Sequence, residues 1–167
     1  MARQAAEDAD KDDAEDDDAE DDDAAVTLLV VHLALTAAYA GFQWTVRALV
    51  YPQFARVPAG AFPAYEKAHQ RRVTAVVGPL FAGQGVTVLW LLAARPAGAP
   101  VTGVVAAAVC LGVVLGVTGL LAVPLHRHLA QGFDRAVLAR LLRVDTVRAL
   151  AATAGTLVAA WLVLASG

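Results

Sequence analysis

The strongest constraint on the fold is an uncharged segment near the start of the chain, from Val26 to Thr45. About 20 predominantly apolar residues are enough for one helix to cross the hydrocarbon core of a bilayer. Three more segments share this character, and the predicted spans are about 26–50, 73–94, 101–123 and 149–166. Because lipid leaves backbone groups no other partners, each apolar segment predicts a helix. We therefore expect an all-α fold, a four-transmembrane-helix bundle over residues 25–167.

Charge is divided unevenly along the chain, and the net charge of -3 hides this division. Residues 1–23 hold 13 acids and only two cations, whereas the rest holds eleven cations and three acids, Glu66, Asp134 and Asp145. Dense like charge repels itself and buries no apolar surface, which predicts a disordered acidic tail over residues 1–24. The abundance of Ala, Val, Gly and Arg, with only two Lys, is typical of a bacterial protein from a GC-rich genome.

The cations predict an orientation in the membrane. Ten of them lie in or beside the connections between spans one and two and between spans three and four, and the other three lie elsewhere. The excess of Lys and Arg in cytoplasmic loops therefore predicts both connections in the cytoplasm and both termini outside. The expected location is the cytoplasmic (inner) membrane of a bacterium.

The connection between spans three and four also carries a helical pattern. Asp134 can cap a helix, and Val137, Leu138 and Leu141 then fall on one face. This pattern predicts a cytoplasmic amphipathic interfacial helix over about 134–147, with arginines directed toward anionic lipid headgroups. The partners expected are the lipid bilayer and those headgroups, because the scattered cations suit lipid better than nucleic acid.

Small residues predict how the helices pack. Gly112, Gly116 and Gly119 recur along span three, and span four offers a second set of small residues. That second set is Ala151, Ala152, Gly155 and Ala159. Small residues at this spacing let backbones approach closely in lipid. The contact is expected within one chain or between copies, which leaves a homo-oligomer open.

Span one carries a stripe of polar residues. On a helix of 3.6 residues per turn, one face collects four uncharged polar side chains and then Arg47. The four form a candidate intramembrane stripe of His32, Thr36, Tyr39 and Gln43. Such a stripe should face protein, since lipid offers its members no partners.

A second polar group should collect at the cytoplasmic face, because the topology brings the ends of all four spans together there. This candidate polar site comprises Arg47, Tyr51, Glu66, His69, Arg72, His126, Asp145 and Arg148. A carboxylate and an imidazole at i, i+3, as in Glu66 and His69, also occur in metal-binding bundles. A di-metal site needs more carboxylates than this chain has outside its tail, so no metal and no cofactor are expected. The alternative is a network that meets lipid phosphates.

Several of these residues belong to a longer set of residues in a fixed order along the chain. This ordered set is Trp44, Arg47, Tyr51-Pro52-x-Phe54, Phe62-x-x-Tyr65-x-x-x-His69, Pro79, Pro124-x-His126, Gly132-Phe133-Asp134 and Arg148. In it the chain resembles a family of small four-span bacterial inner-membrane proteins without an established activity. The resemblance runs from about residue 30 to 165 and implies a four-span fold. A more distant likeness, in span count and size only, is to anthrone-oxygenase-like membrane proteins.

Three functions remain open from the sequence. The first is an integral membrane protein with a structural or accessory role. The second is a small membrane enzyme with a polar site at the cytoplasmic face. The third is a small carrier that uses the polar stripe of span one. Phosphate loops, nucleophile elbows and zinc-protease patterns do not occur in the sequence, so it indicates none of those enzyme classes. Whether the chain is an enzyme of another kind stays open.

Overall fold

The computed structural model describes the backbone of residues 2–166 and the side chains of residues 23–166. All regular structure in that part of the chain is helical, and four helices in it are long and apolar enough to cross a membrane. Their membrane-crossing ranges are Asp23–Phe54, Phe62–Ala93, Val101–Leu129 and Arg135–Ser166. We number these helices α1 to α4. The predicted all-α class and the predicted count of four spans are confirmed.

The first helix, α1, begins as α-helix at Ala2 and so includes most of the acidic segment. The side chains of residues 1–22 lie outside the described residues, and the disorder expected for residues 1–24 stays a prediction. The helices are also longer than the predicted spans. For example, α2 begins at Phe62, because the charged residues before Val73 are good helix formers.

The segment 134–147, predicted as a separate interfacial helix, is the first part of α4. This helix runs without a break from Arg135 to Ser166. Those residues include no Pro and only one Gly, Gly155, which lies within the bundle. Leu138 and Leu141 are buried, whereas Arg140 and Arg143 are exposed. The segment is therefore an extension of the last span, and its amphipathic, interfacial character stays a prediction.

Successive helices run in opposite directions. The connections 55–61 and 130–134 meet at one end of the bundle, where the ring centroids of Phe62 and Phe133 are 5.1 Å apart. We call this the loop end. The turn 94–100 lies at the opposite end, the turn end, where Gly98 lies against the backbone of Ser166. The two arginine-bearing connections therefore share one side of the protein.

Both α1 and α3 contain a π-helical turn just before a proline. These turns are Val46–Val50 and Thr118–Ala122, and Pro52 and Pro124 follow them. Proline lacks an N–H group and its ring clashes with the carbonyl four residues earlier. The extra residue in each π-turn takes up this clash. One residue more per turn also rotates the side chains that follow.

Of the two predicted sets of small residues, one packs inside the bundle. In α4, Ala152, Gly155 and Ala159 are buried, and a Cβ at Gly155 would contact Cys110. The set in α3 does not pack within the chain, since a Cβ at its three glycines would meet open space. The close approach made by α3 is at Gly103 instead. A Cβ there would lie 2.6 Å from Leu162 Cδ2.

Candidate functional site

The polar stripe of α1 lies inside the bundle. His32, Thr36, Tyr39 and Gln43 are each no more than 5% exposed. Their spacing on one helix face brings them against α2 and α4, where polar side chains meet three of them across the core. From His32 to Tyr51 the polar positions of α1 cover about 28 Å of helix, close to the thickness of a hydrocarbon core.

The first group of contacts joins α1 to α4, and we call it the acid–arginine cluster: Tyr39, Gln43, Asp145 and Arg148. Asp145 is fully buried, and its Oδ1 accepts hydrogen bonds from Gln43 Nε2 at 2.5 Å and Arg148 Nη1 at 3.3 Å. Arg148 Nη2 donates to the Tyr39 hydroxyl at 3.3 Å. The ion pair places one negative and one positive group in the centre of the bundle. Such a pair is tolerated there because each partner neutralises the other.

The second group joins α1, α2 and α3 nearer the loop end, and we call it the histidine–glutamate cluster: Tyr51, Glu66, His69 and His126. Nδ1 of His126 donates to Glu66 Oε1 at 2.6 Å, and Nε2 of the same ring lies 3.1 Å from the Tyr51 hydroxyl. Gln70 Nε2 also donates to Glu66 Oε1, at 3.1 Å. Glu66 is fully buried, whereas the His126 side chain is 13% exposed. Glu66 is therefore enclosed by the bundle, and its neighbours His69, Gln70 and His126 are partly exposed.

The rings of His69 and His126 lie side by side in this cluster. Their centroids are 5.8 Å apart, and the Tyr51 ring lies 5.9 Å from His69. Phe54 lies across the edge of His69, at 5.0 Å. These aromatic contacts fix the two imidazoles beneath the loop-end core, which holds Phe62 and Phe133.

The π-turns position both ends of the Tyr51–His126 contact. The N–H of Tyr51 bonds to the carbonyl of Val46, five residues back, and that of Val123 bonds to Thr118 in the same way. Each extra residue turns the following side chain by about 100°. Tyr51 and His126, one after each π-turn, thereby face one another in the core.

Five buried polar atoms have no partner among the described residues. Two are carboxylate oxygens, Glu66 Oε2 and Asp145 Oδ2, and the others are nitrogens. Those nitrogens are His32 Nε2, His69 Nε2 and Arg148 Nε. A polar atom left unbonded in the core of a protein costs about 1–3 kcal/mol, so each of these atoms needs an explanation. All five belong to residues that the sequence nominated.

His32 occupies the turn-end limit of the stripe. Its Nδ1 lies 2.7 Å from the Thr87 hydroxyl, which itself donates to the carbonyl of Gly83 at 3.0 Å. The Thr87 oxygen therefore accepts from Nδ1–H, which leaves Nε2 as a buried acceptor. A cavity of about 10 Å³ lies beside His32, Thr36 and Gln84, and this is roughly the space that one water molecule needs.

Two of the nominated residues lie outside both clusters. Arg47 is half-buried and donates from Nε to the Thr146 hydroxyl at 2.9 Å, beside the acid–arginine cluster. Arg72 is exposed on the surface and takes no part in either cluster. It follows Glu66 by six residues, about one and two-thirds turns, and therefore points to another side of α2. Thr87, Thr146 and Gln70 were not predicted as partners, because they are uncharged polar residues without a distinguishing pattern.

The chemistry available to these groups is proton transfer. His126 can accept a hydrogen bond from Tyr51 when the ring is neutral and donate one when it is charged, while Glu66 holds Nδ1 in both states. Within residues 23–166, no group of three His, Cys, Asp or Glu side chains is placed to hold a metal ion.

The chain matches no protein-family model, no curated protein and no solved structure.

Proposed function

We propose that the protein is a small proton carrier. In this proposal, the polar stripe of α1 and the two clusters form a buried polar track that binds protons and passes them through the bundle. One observation carries this proposal: the buried carboxylates of Glu66 and Asp145 are each bonded through one oxygen, and the other oxygen has no protein partner. Ionisable groups inside a membrane bundle are costly and typically mark proton relays or ion paths. A network that only braced helices would gain most with every polar atom bonded.

The order of the groups supports a path. His126 is one of the partly exposed members at the loop end, and it contacts Glu66 and Tyr51. Tyr51 lies about two turns beyond Gln43 on α1, and Gln43 bonds to Asp145 in the acid–arginine cluster. From there Gln43 and Tyr39 lead along α1 toward His32. Beyond His32 the track is closed by an apolar core that contains Leu29 and Leu162. Release at the turn end therefore requires a second conformation, as expected of a carrier rather than an open channel.

Proton flux into vesicles tests this function. The full chain is reconstituted into liposomes with a trapped pH-sensitive dye, and a potassium diffusion potential of either polarity drives the protons. The wild-type chain should acidify or alkalinise the lumen faster than protein-free vesicles. Asp145→Asn and Glu66→Gln keep the shape of each side chain but cannot exchange a proton, so both should return the flux to the protein-free rate.

Matched controls remove an exposed charge by the same substitutions. Asp23→Asn repeats the change of Asp145→Asn at an exposed position, and Lys67→Gln changes the exposed neighbour of Glu66. Both controls should retain the flux. A wild-type flux equal to that of protein-free vesicles at both polarities contradicts the proposal, as does full flux in both buried-carboxylate variants.

A structural or accessory role is the second candidate, because the same contacts bridge all four helices. Gln43–Asp145 joins α1 to α4, Tyr51–His126 joins α1 to α3, and the bond between His126 and Glu66 joins α3 to α2. Under this role, the buried-carboxylate variants lose stability, and the wild-type chain conducts no protons.

The finer features of location follow from the sequence and belong to the same proposal. The concentration of cations at the loop end supports a cytoplasmic loop end and external termini in a bacterial inner membrane. The ordered aromatic and histidine positions support the resemblance to the small four-span family. The interfacial position of residues 134–147, the disorder of the acidic tail and a homo-oligomer are further elements of the proposal, and nucleic acid is not an expected partner.

A further inference from the structure

An apolar groove crosses the outside of the bundle near the loop end. It lies where α3 ends and α4 begins, and its volume is about 410 Å³. Leu120, Leu121, Pro124 and Leu125 form its walls, and Arg140 and Arg143 form its rim. Leu120 is 77% exposed, so the groove is open to the surrounding lipid. Leu120 and Leu121 lie within the π-turn of α3, which precedes Pro124.

The charge on the rim is unbalanced. Arg140 and Arg143 are three residues apart on one face of α4, and both are exposed. No described carboxylate lies within 4.0 Å of either guanidinium, since the ion pairs found involve Glu66 and Asp145 only with His126 and Arg148. Asp145, the nearest acid along the helix, is buried and pairs with Arg148, and Asp134 bonds to the main-chain amides of the first turn of α4.

We propose that this groove is a binding site for an anionic phospholipid, with its phosphate on Arg140 and Arg143 and an acyl chain along the leucines. The guanidinium group matches the oxygens of a phosphodiester through paired hydrogen bonds. The apolar wall of the groove lies beside two arginines that have no ion-pair partner among the described residues. A phospholipid carries its phosphate next to its hydrocarbon chains and therefore matches this arrangement. A zwitterionic lipid would place a second cation beside the rim. This site is independent of the proton track and of its function.

Native mass spectrometry of the full chain in detergent tests the site. The chain is titrated with phosphatidylglycerol or with phosphatidylcholine of the same acyl chains. Two arginines at a membrane surface contribute about 1 kcal/mol each, so phosphatidylglycerol should bind roughly 30-fold more tightly. The double variant Arg140→Gln/Arg143→Gln should lose this preference.

A second basic patch gives the matched control. Lys67 and Arg71 line another surface depression at the loop end, together with Ala64 and Gln70, and that depression has no leucine wall. Lys67→Gln/Arg71→Gln removes the same charge, so it should keep the preference for phosphatidylglycerol. Leu120→Trp fills the groove and leaves both arginines in place, and it should weaken phosphatidylglycerol binding even if the arginine variant fails to fold.

Four results would overturn the proposal. The first is equal binding of the two lipids by the wild-type chain. The second is an equal loss of the preference for phosphatidylglycerol in Lys67→Gln/Arg71→Gln and in Arg140→Gln/Arg143→Gln, which would indicate an effect of general surface charge. The third is displacement of phosphatidylglycerol by the same concentration of glycerol phosphate, since this would indicate a site for a free phosphate. Unchanged lipid binding in Leu120→Trp would likewise remove the acyl chain from the groove.

Discussion

Nε2 of His126 lies 3.1 Å from the Tyr51 hydroxyl, and the two residues reach each other from separate helices that both contain a π-turn. The same imidazole donates from Nδ1 to Glu66. The contact therefore depends on two backbone irregularities and one buried carboxylate. Because Pro52 and Pro124 both favour those irregularities, the prolines help to position the cluster.

Removing the Glu66 carboxylate tests this dependence. Glu66→Gln replaces a charged acceptor for His126 with a neutral one, and hydrogen bonds to charged groups are stronger. We expect the free energy of unfolding to fall by about 1–2 kcal/mol, measured by denaturant titration in mixed micelles. Lys67→Gln changes the adjacent exposed residue and should lie within about 0.5 kcal/mol of wild type. Equal stabilities of the two variants would contradict a role for the Glu66–His126 bond.

The acid–arginine cluster predicts strong coupling between Asp145 and Arg148. Asp145→Ala leaves the guanidinium buried without its partner, which costs about 3–5 kcal/mol. Arg148→Met in the same chain removes the stranded charge, so the double variant should be more stable than Asp145→Ala. A double-mutant cycle on the free energy of unfolding measures this coupling. Additive effects would show that the two charges do not interact.

Helical periodicity predicts much of this site from the sequence. The positions of His32, Thr36, Tyr39 and Gln43 follow the 3.6-residue repeat, and all four are buried. The chemistry-bearing residues of the loop end also gather there, because alternating spans bring their ends together. Arg72 is the exception, since its place was inferred from topology and not from its phase on α2.

Other features depend on contacts that no local pattern reports. A π-turn has no sequence pattern beyond a following proline, so the rotation that brings Tyr51 to His126 was not predicted. Thr87 and Thr146 resemble any other helical threonine until a partner from another helix is known. The glycines of α3 show the same limit, because their spacing indicates a flat helix face but not the neighbour that uses it.

Two glycines of α3 are expected to respond oppositely to alanine. Gly103→Ala places a Cβ 2.6 Å from Leu162 Cδ2 and 3.0 Å from the Trp161 ring, in a buried contact. Overpacking there should destabilise the fold by about 1–3 kcal/mol. Gly112→Ala meets open space, and helix propensity should stabilise it by up to about 1 kcal/mol. Unfolding in mixed micelles distinguishes them, and destabilisation by Gly112→Ala would indicate that this face packs against another copy.

The proposed orientation predicts which residues an impermeant thiol reagent reaches in intact cells. In a Cys110→Ser background, Ala97→Cys at the turn end should be labelled from outside. Ala59→Cys and Gln131→Cys at the loop end should be labelled only after the membrane is permeabilised. The two loop-end positions serve as controls for each other, because they lie on the same side of the bundle. Labelling of Ala59→Cys and Gln131→Cys from opposite sides would contradict the fold itself.

Asp134 gives the expected pH dependence at the start of α4. The main-chain amides of Val137 and Ala136 bond to its carboxylate at 3.0 and 2.7 Å, and these bonds lower the pKa of Asp134 below its usual range. A carboxyl group whose pKa is lower in the folded state stabilises the fold above its unfolded pKa of about 3.9. This contribution disappears as the pH falls through the folded pKa. Asn in place of Asp still caps the helix but carries no charge.

The stability difference between wild type and Asp134→Asn should therefore be present at neutral pH and shrink below about pH 4. Comparing the two chains at each pH cancels the titration of the other acids, including those of the N-terminal segment. Thermal unfolding in detergent, followed by circular dichroism, measures the difference. The same difference at neutral and acidic pH would show that the Asp134 charge does not stabilise the start of α4.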